Sequence, residues 1–111
     1  MQVAFHLSKV RKDEVQKALN NLENLRECNP EAEIHAVANT AAVTVLKQDG
    51  SFHERISELI TEDNIEFKAC SNSIEKTDMK KTDLIETVET VDSGVNELAK
   101  LQEDGFGYIK P

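Results

Sequence analysis

The stretch whose reading decides the fold is IEFKACSNSI, residues 65–74. Residues 65–70 read as a strand. Ser71, Asn72 and Ser73 are all favourable helix N-caps, so a short helix is expected to start there and run towards residues 76–79. A strand that passes directly into a helix is half of a βαβ unit, and the rest of the chain repeats that alternation.

Upstream, residues 3–7 (VAFHL) read as a first strand, followed by a polar loop over 8–12. Val15, Ala18, Leu19, Leu22 and Leu25 then recur at helical spacing, predicting a helix from near Asp13 to near Cys28. Asn29-Pro30 stops it, because proline cannot continue a helix and restricts the residue before it. Residues 34–38 form a second strand, and 39–46 a short helix or turn against the sheet. Asp49-Gly50 is a turn. Ser51 and Glu54 fit a capping box opening a helix with Phe52, Ile56, Leu59 and Ile60 on one face. A polar break over 61–64 precedes the deciding strand.

Downstream, 80–83 is a polar connection and 84–91 holds a fourth strand, strongest over 88–91. Asp92-Ser93-Gly94 caps a helix with Val95, Leu98, Ala99 and Leu101 inward, Gly105 ends the connection, and 106–109 is a last strand. Five strands, four or five helices and no linker or repeat predict one α/β domain over 1–111. It is a three-layer α/β/α sandwich around a mainly parallel five-stranded sheet, flavodoxin-like in appearance.

Composition narrows the function classes. Of 111 residues, 13 are Lys or Arg and 21 Asp or Glu, leaving a net charge of −8. Residues 1–55 contribute −1 of this and residues 56–111 contribute −7. Such a chain repels phosphate backbones, and with aromatics at 5% and no Trp it lacks stacking platforms for single strands, so nucleic-acid binding is not expected. The longest nearly apolar stretch, 41–46, is too short to cross a bilayer, and the start MQVAFHLSKV has no signal-peptide core. The expectation is a cytoplasmic protein with no membrane contact and both thiols reduced.

Ligands of open parallel sheets bind beyond the carboxyl ends of the strands, which directs attention to the loops 8–12, 39–42, 70–73 and 92–94. The first loop has neither the glycines of a dinucleotide fingerprint nor those of a phosphate cradle. His6, Ser8 and Cys70 stand where a phosphoacceptor receiver needs acids. Three scattered histidines, His6, His35 and His53, give no metal-ligand spacing, so no metal and no cofactor is expected. His6 and His35 fall in strands and read as core or sheet-surface residues; His53, in the first turn of a helix, has no assigned role. The acids Glu86, Glu89, Asp92 and Glu97 read as a solvated face, with docking of a basic partner as the alternative.

Cys70 stands apart. It lies at a strand end immediately before a helix start, where partial positive charge lowers a thiol pKa. Ser71 and Asn72 offer hydrogen bonds, and Lys68 or Lys76 offers charge. Against this stands the ordinary fate of a free cysteine, which is to be buried and inert. Cys28 lies at a helix C-terminus, which disfavours a thiolate, and reads as packing or a bystander. A redox pair with Cys28 resolving Cys70 requires the two Cα atoms within about 7 Å.

The segments VAFHLSK, EIHAVANTAAVTVL, FKACSNSI and VDSGVNELAKLQEDGFGYIKP together make the chain resemble the DsrE/DsrF-like family, in its small YchN-like branch. The resemblance spans essentially the whole chain. It implies a compact α/β/α fold assembled as a homotrimer or hexamer. It further implies sulfur relay, with Cys70 as the site that accepts sulfane sulfur as a persulfide and passes it on, as a sulfurtransferase or persulfide carrier working between donor and acceptor proteins. The loop of Asn39 and Thr40 matches a family segment at the same sheet end, which makes Asn39, Thr40, Ser71 and Asn72 the substrate-binding expectation. That loop is poorer in glycine than the family segment. The competing reading is a non-catalytic oligomeric binding or scaffold protein in which Cys70 is structural.

Overall fold

The computed structural model describes residues 1–111. Its strands are β1 (Gln2–Leu7), β2 (Glu33–Ala38), β3 (Ile65–Cys70), β4 (Glu89–Val91) and β5 (Gly107–Ile109); its helices are α1 (Lys12–Cys28), α2 (His53–Ile60), α3 (Ser71–Glu75) and α4 (Gly94–Glu103). All four strand pairings are parallel, in the order β4-β3-β2-β1-β5. The mainly parallel sheet expected from the sequence is therefore wholly parallel.

Strand alternation sorts the side chains into two cores. Val3, Phe5 and Leu7 of β1, Ile34, Ala36 and Ala38 of β2, and Ile65, Phe67 and Ala69 of β3 join Val15, Leu19, Leu22, Val43, Ile56 and Leu59 in the larger one. The opposite face contributes only Ala4 and Val37 to a small core with Leu98, Leu101 and Phe106. Chain direction explains the asymmetry. The connections from β1 through β4 move one way across the sheet, and right-handed crossovers keep their helices on one face. The last connection returns past β1 to the far edge, so α4 alone lands on the other face. Other positions of that face, Gln2, His6, Glu33, His35, Glu66 and Lys68 among them, are polar.

Three local expectations are corrected. The fourth strand is only Glu89–Val91. Leu84, Ile85 and Val88 are buried, at 6%, 5% and 9% exposure, but as a strap over the 3₁₀ segment Thr40–Leu46. Lys47 makes a single antiparallel bridge with Leu84, and the Ile85 N–H donates to the Leu46 carbonyl at 2.9 Å. An apolar run reports burial without specifying a strand. Ser51 and Glu54 make no capping box: α2 starts at His53 after an N-cap at Phe52 that has no side-chain cap bond. A capping carboxylate occurs instead at Asp83, which accepts from the Lys80 N–H at 2.8 Å. Finally, Val95 and Ala99 of α4 face outward, Val95 with 66% exposure, while Leu98 and Leu101 face the sheet.

No helix is long and apolar enough to cross a membrane.

Candidate functional site

β3 ends at Cys70 and α3 begins at the next residue, so Cys70 itself is the N-cap. Ser71, Asn72 and Ser73 lie inside the helix rather than capping it, and the helix stops at Glu75, short of the expected 76–79. This abrupt junction places the Cys70 sulfur above the free N–H groups of the first turn. Burial, with the residue 5% exposed, pushes the thiol pKa up. The Ser73 hydroxyl, the Gly94 N–H, and the N–H groups of Ser73 and Asn72 outweigh it and hold the thiol below its ordinary value. The cause is hydrogen bonding to the anion, not a neighbouring cation.

Lys68, expected as a source of charge, is buried and committed elsewhere. Its Nζ donates to Glu97 Oε2 at 2.6 Å and to His35 Nδ1 at 3.0 Å. Glu97 therefore leaves the solvated acidic face, its side chain being only 19% exposed, whereas Glu86, Glu89 and Asp92 stay exposed. Lys76 is not among the groups that move the thiol.

The expected binding residues differ in what they reach. Thr40 acts through Ser73: its N–H donates to Ser73 Oγ at 2.7 Å. That bond occupies a lone pair of the oxygen and leaves the Ser73 hydroxyl proton for the sulfur. Thr40 holds φ at 53°, in the left-handed region that a β-branched residue rarely adopts. Asn39 comes to Cys70 from the end of β2, and the two meet over Gly94. A methyl group at Gly94 would stand 3.0 Å from Asn39 Cβ and 3.3 Å from Cys70 Cβ. Only glycine lets α4 enter this closely. Asn72 contributes its backbone N–H, with its side chain exposed. Ser71 is buried and gives the sulfur no bond.

Three participants were read only in part from the sequence. Ser73 was one of three equivalent caps whose N–H groups were expected to favour an anion, and Gly94 was a helix start in one of the four loops at the ligand end. His6 was a sheet residue without a partner; here its Nε2–H donates to Asn39 Oδ1 at 2.8 Å and its Nδ1 accepts from the Tyr108 hydroxyl at 2.6 Å. This chain fixes the Asn39 amide from the β1 and β5 side. The strand register alone carries the signal, since His6 ends the alternation Ala4, His6 on the α4 face.

Glu33, His35 and Glu66 bring ligand atoms within 4.8 Å of one another, as a metal site does. The Lys68 ammonium argues for a different role. It donates to His35 Nδ1, so Nε2 carries the ring proton and donates to Glu33 at 3.0 Å, with a Glu66 carboxylate oxygen also 3.0 Å away. A metal on Nε2 would force that proton onto Nδ1, against the ammonium. The cluster fits a proton-satisfied ionic network.

Cys28 is exposed and free at the end of α1. Because α1 runs back against the strands, Cys28 lies where they begin and Cys70 where they finish. Six strand residues span about 20 Å. A direct bond between the cysteines is therefore out of reach.

Compared with known proteins, residues 4–111 match the model of the DsrE/DsrF-like family. No curated protein matches the chain. Among solved structures, MTH1491 of Methanobacterium thermoautotrophicum, a protein of unknown function, is 33% identical and superposes with a TM-score of 0.94, over 99% of this chain and 98% of that one. The ychN protein of E. coli shares the fold at 18% identity, with a TM-score of 0.83 over 100% of both chains.

Proposed function

The chain belongs to the DsrE/DsrF-like family, and from that premise we propose that it is a sulfur-relay protein carrying sulfane sulfur as a persulfide on Cys70. The observation that supports this most is that polar groups of Ser73, Gly94 and Asn72 gather round the Cys70 sulfur and favour its thiolate although the residue is buried. A buried cysteine kept only for packing has no need of donors converging on its sulfur.

The reaction is thiol exchange and needs no further reactant. The Cys70 thiolate attacks the outer sulfur of a donor persulfide. A new S–S bond forms, the donor's S–S bond breaks, and its electron pair leaves on the donor thiolate. In the second step an acceptor thiolate attacks the outer sulfur of the Cys70 persulfide, and Cys70 departs as thiolate. The carried sulfur keeps its oxidation state, and the protons exchange with water. The donors from Ser73, Gly94 and Asn72 stabilise the thiolate that begins and ends the cycle.

The same reading places the protein in the reducing cytoplasm, supported by two free cysteines, and as a homotrimer or hexamer, supported by family membership and by the exposure of Val95 and Tyr108 on the sparsely covered α4 side. One observation favours the competing scaffold reading: Cys70 is only 5% exposed.

Radiolabelled sulfur separates the two. Protein incubated with a small persulfide donor labelled in its outer sulfur should retain label, lose it to dithiothreitol, and pass it to an added thiol. With the exposed Cys28 replaced by Ser in both proteins, Cys70→Ser should retain none. Equal labelling of both proteins, or of neither, contradicts relay at this residue.

A further inference from the structure

Lys68 and Cys70 are two residues apart on β3, so both project towards α4, about 6.6 Å apart along the strand. Each meets the first turn of that helix. Cys70 lies against Gly94, the first helical residue, where a Cβ would stand 3.3 Å from Cys70 Cβ, and Lys68 bonds Glu97 three residues on. The ion pair is well buried, with side-chain exposures of 9% for Lys68 and 19% for Glu97. It is held from below as well, since His35 of β2 accepts from the same ammonium. The apolar anchors of α4, Leu98 and Leu101, lie further along the helix and pack on Ala4, Val37 and Phe106.

We propose that Lys68 and Glu97 are positioning residues for Cys70: their ion pair pins the first turn of α4 to β3 and thereby holds the Gly94 N–H on the sulfur. The assignment rests on Cys70 being the working thiol, but it concerns how the thiolate is held, not what it carries. It gives a role to a buried charge pair that otherwise has none. The titratable and charged groups facing Lys68 are Glu97 from α4, His35 from β2 with its partners Glu33 and Glu66, and Glu89 across the β3–β4 pairing.

Positioning and charge make opposite forecasts. Removing the Glu97 carboxylate leaves the surroundings of Cys70 more positive, so a charge effect alone would speed the thiol. Loss of the pin instead weakens the Gly94 bond and slows it. In a Cys28→Ser background, the rate of alkylation by iodoacetamide is measured across pH for the parent and for Glu97→Ala. Positioning predicts a profile moved to higher pH and alkylation at pH 7 slowed about tenfold, the factor equal to roughly 1.4 kcal/mol. A faster or unchanged rate overturns the proposal. Should circular dichroism show Glu97→Ala unfolded, Glu97→Asp decides. It keeps the charge but shortens the reach to Lys68, so positioning predicts slower alkylation, and an unmoved profile overturns it. Alkylation reads the thiolate without any persulfide, so the failure of relay and the failure of positioning are separately visible.

Discussion

At the scale of single residues, the site depends on donors that converge on one sulfur. Removing the Ser73 hydroxyl should raise the Cys70 pKa, because a hydrogen bond to a charged group is worth about 1.5–3 kcal/mol. Ser73→Ala in a Cys28→Ser background is expected to alkylate roughly tenfold more slowly at pH 7, while Ser71→Ala, which removes no bond to the sulfur, keeps the parent rate. The pH dependence follows from the same direction of shift. The folded thiol ionises at lower pH than the unfolded one. Its contribution to stability is thus present in full above the unfolded thiol pKa and is lost as pH falls through the folded value. Alkylation of native Cys70 should accordingly rise at lower pH than that of the same chain in concentrated urea; coincident profiles would contradict the hydrogen-bonded thiolate. Gly94→Ala should cost about 1–3 kcal/mol in urea denaturation, since its new methyl would stand 3.0 Å from Asn39 Cβ and 3.3 Å from Cys70 Cβ.

Cys70 was legible in the sequence because strand end and helix start adjoin in the chain. The backbone N–H groups of residues 71–73 were legible as favouring an anion, but the Ser73 hydroxyl was not singled out, since which hydroxyl reaches the sulfur depends on the turn of α3 and on the Thr40 N–H. Gly94 was legible only as part of the loop 92–94, and His6 and Glu97 were not legible as site residues. Each arrives from an element distant in sequence, and only the sheet register brings them together.

At the scale of elements, the reading succeeded where periodicity and burial coincide. β1, β2, β3 and α1 emerge close to their expected bounds because each buries a face of defined period. It failed where apolar residues are buried without a ladder, as in the strap of Leu84, Ile85 and Val88, and where a local motif competed with chain geometry. Ser51 and Glu54 form the sequence motif of a capping box yet make no such bonds. Ser93, by contrast, accepts from the Asn96 N–H at 3.2 Å and caps α4. Thermal or urea unfolding should therefore separate the two: Ser93→Ala costs about 1 kcal/mol, and Ser51→Ala stays within about 0.5 kcal/mol of the parent. Equal losses would mean that the α2 cap forms after all. The helix on the α4 side was also misjudged in its facing, because α4 covers its sheet face alone and needs only Leu98 and Leu101 inward.

At the scale of the molecule, a parallel sheet collects its loops at one end, and three sequence-distant segments, Asn39-Thr40, Cys70–Ser73 and Ser93-Gly94, meet there. The net charge of −8 excluded nucleic acid from the expected partners and carried no information about this meeting point. The acidic surplus lies in the half of the chain that holds Cys70, but the thiol is governed by neutral donors rather than by charge. Cys28 belongs to the opposite end of the sheet. Mild oxidation of the folded protein should therefore give no intramolecular disulfide, and a cross-linked monomer on a non-reducing gel would contradict the topology.

The central claim, that Cys70 takes up sulfane sulfur, is tested most directly by the intact mass of the reduced protein after exposure to a small persulfide donor. The account predicts a gain of about 32 Da, one sulfur on a thiol, in the parent and in Cys28→Ser but not when Cys70→Ser is added to Cys28→Ser. An unmodified parent, or a gain that survives the loss of Cys70, would contradict it.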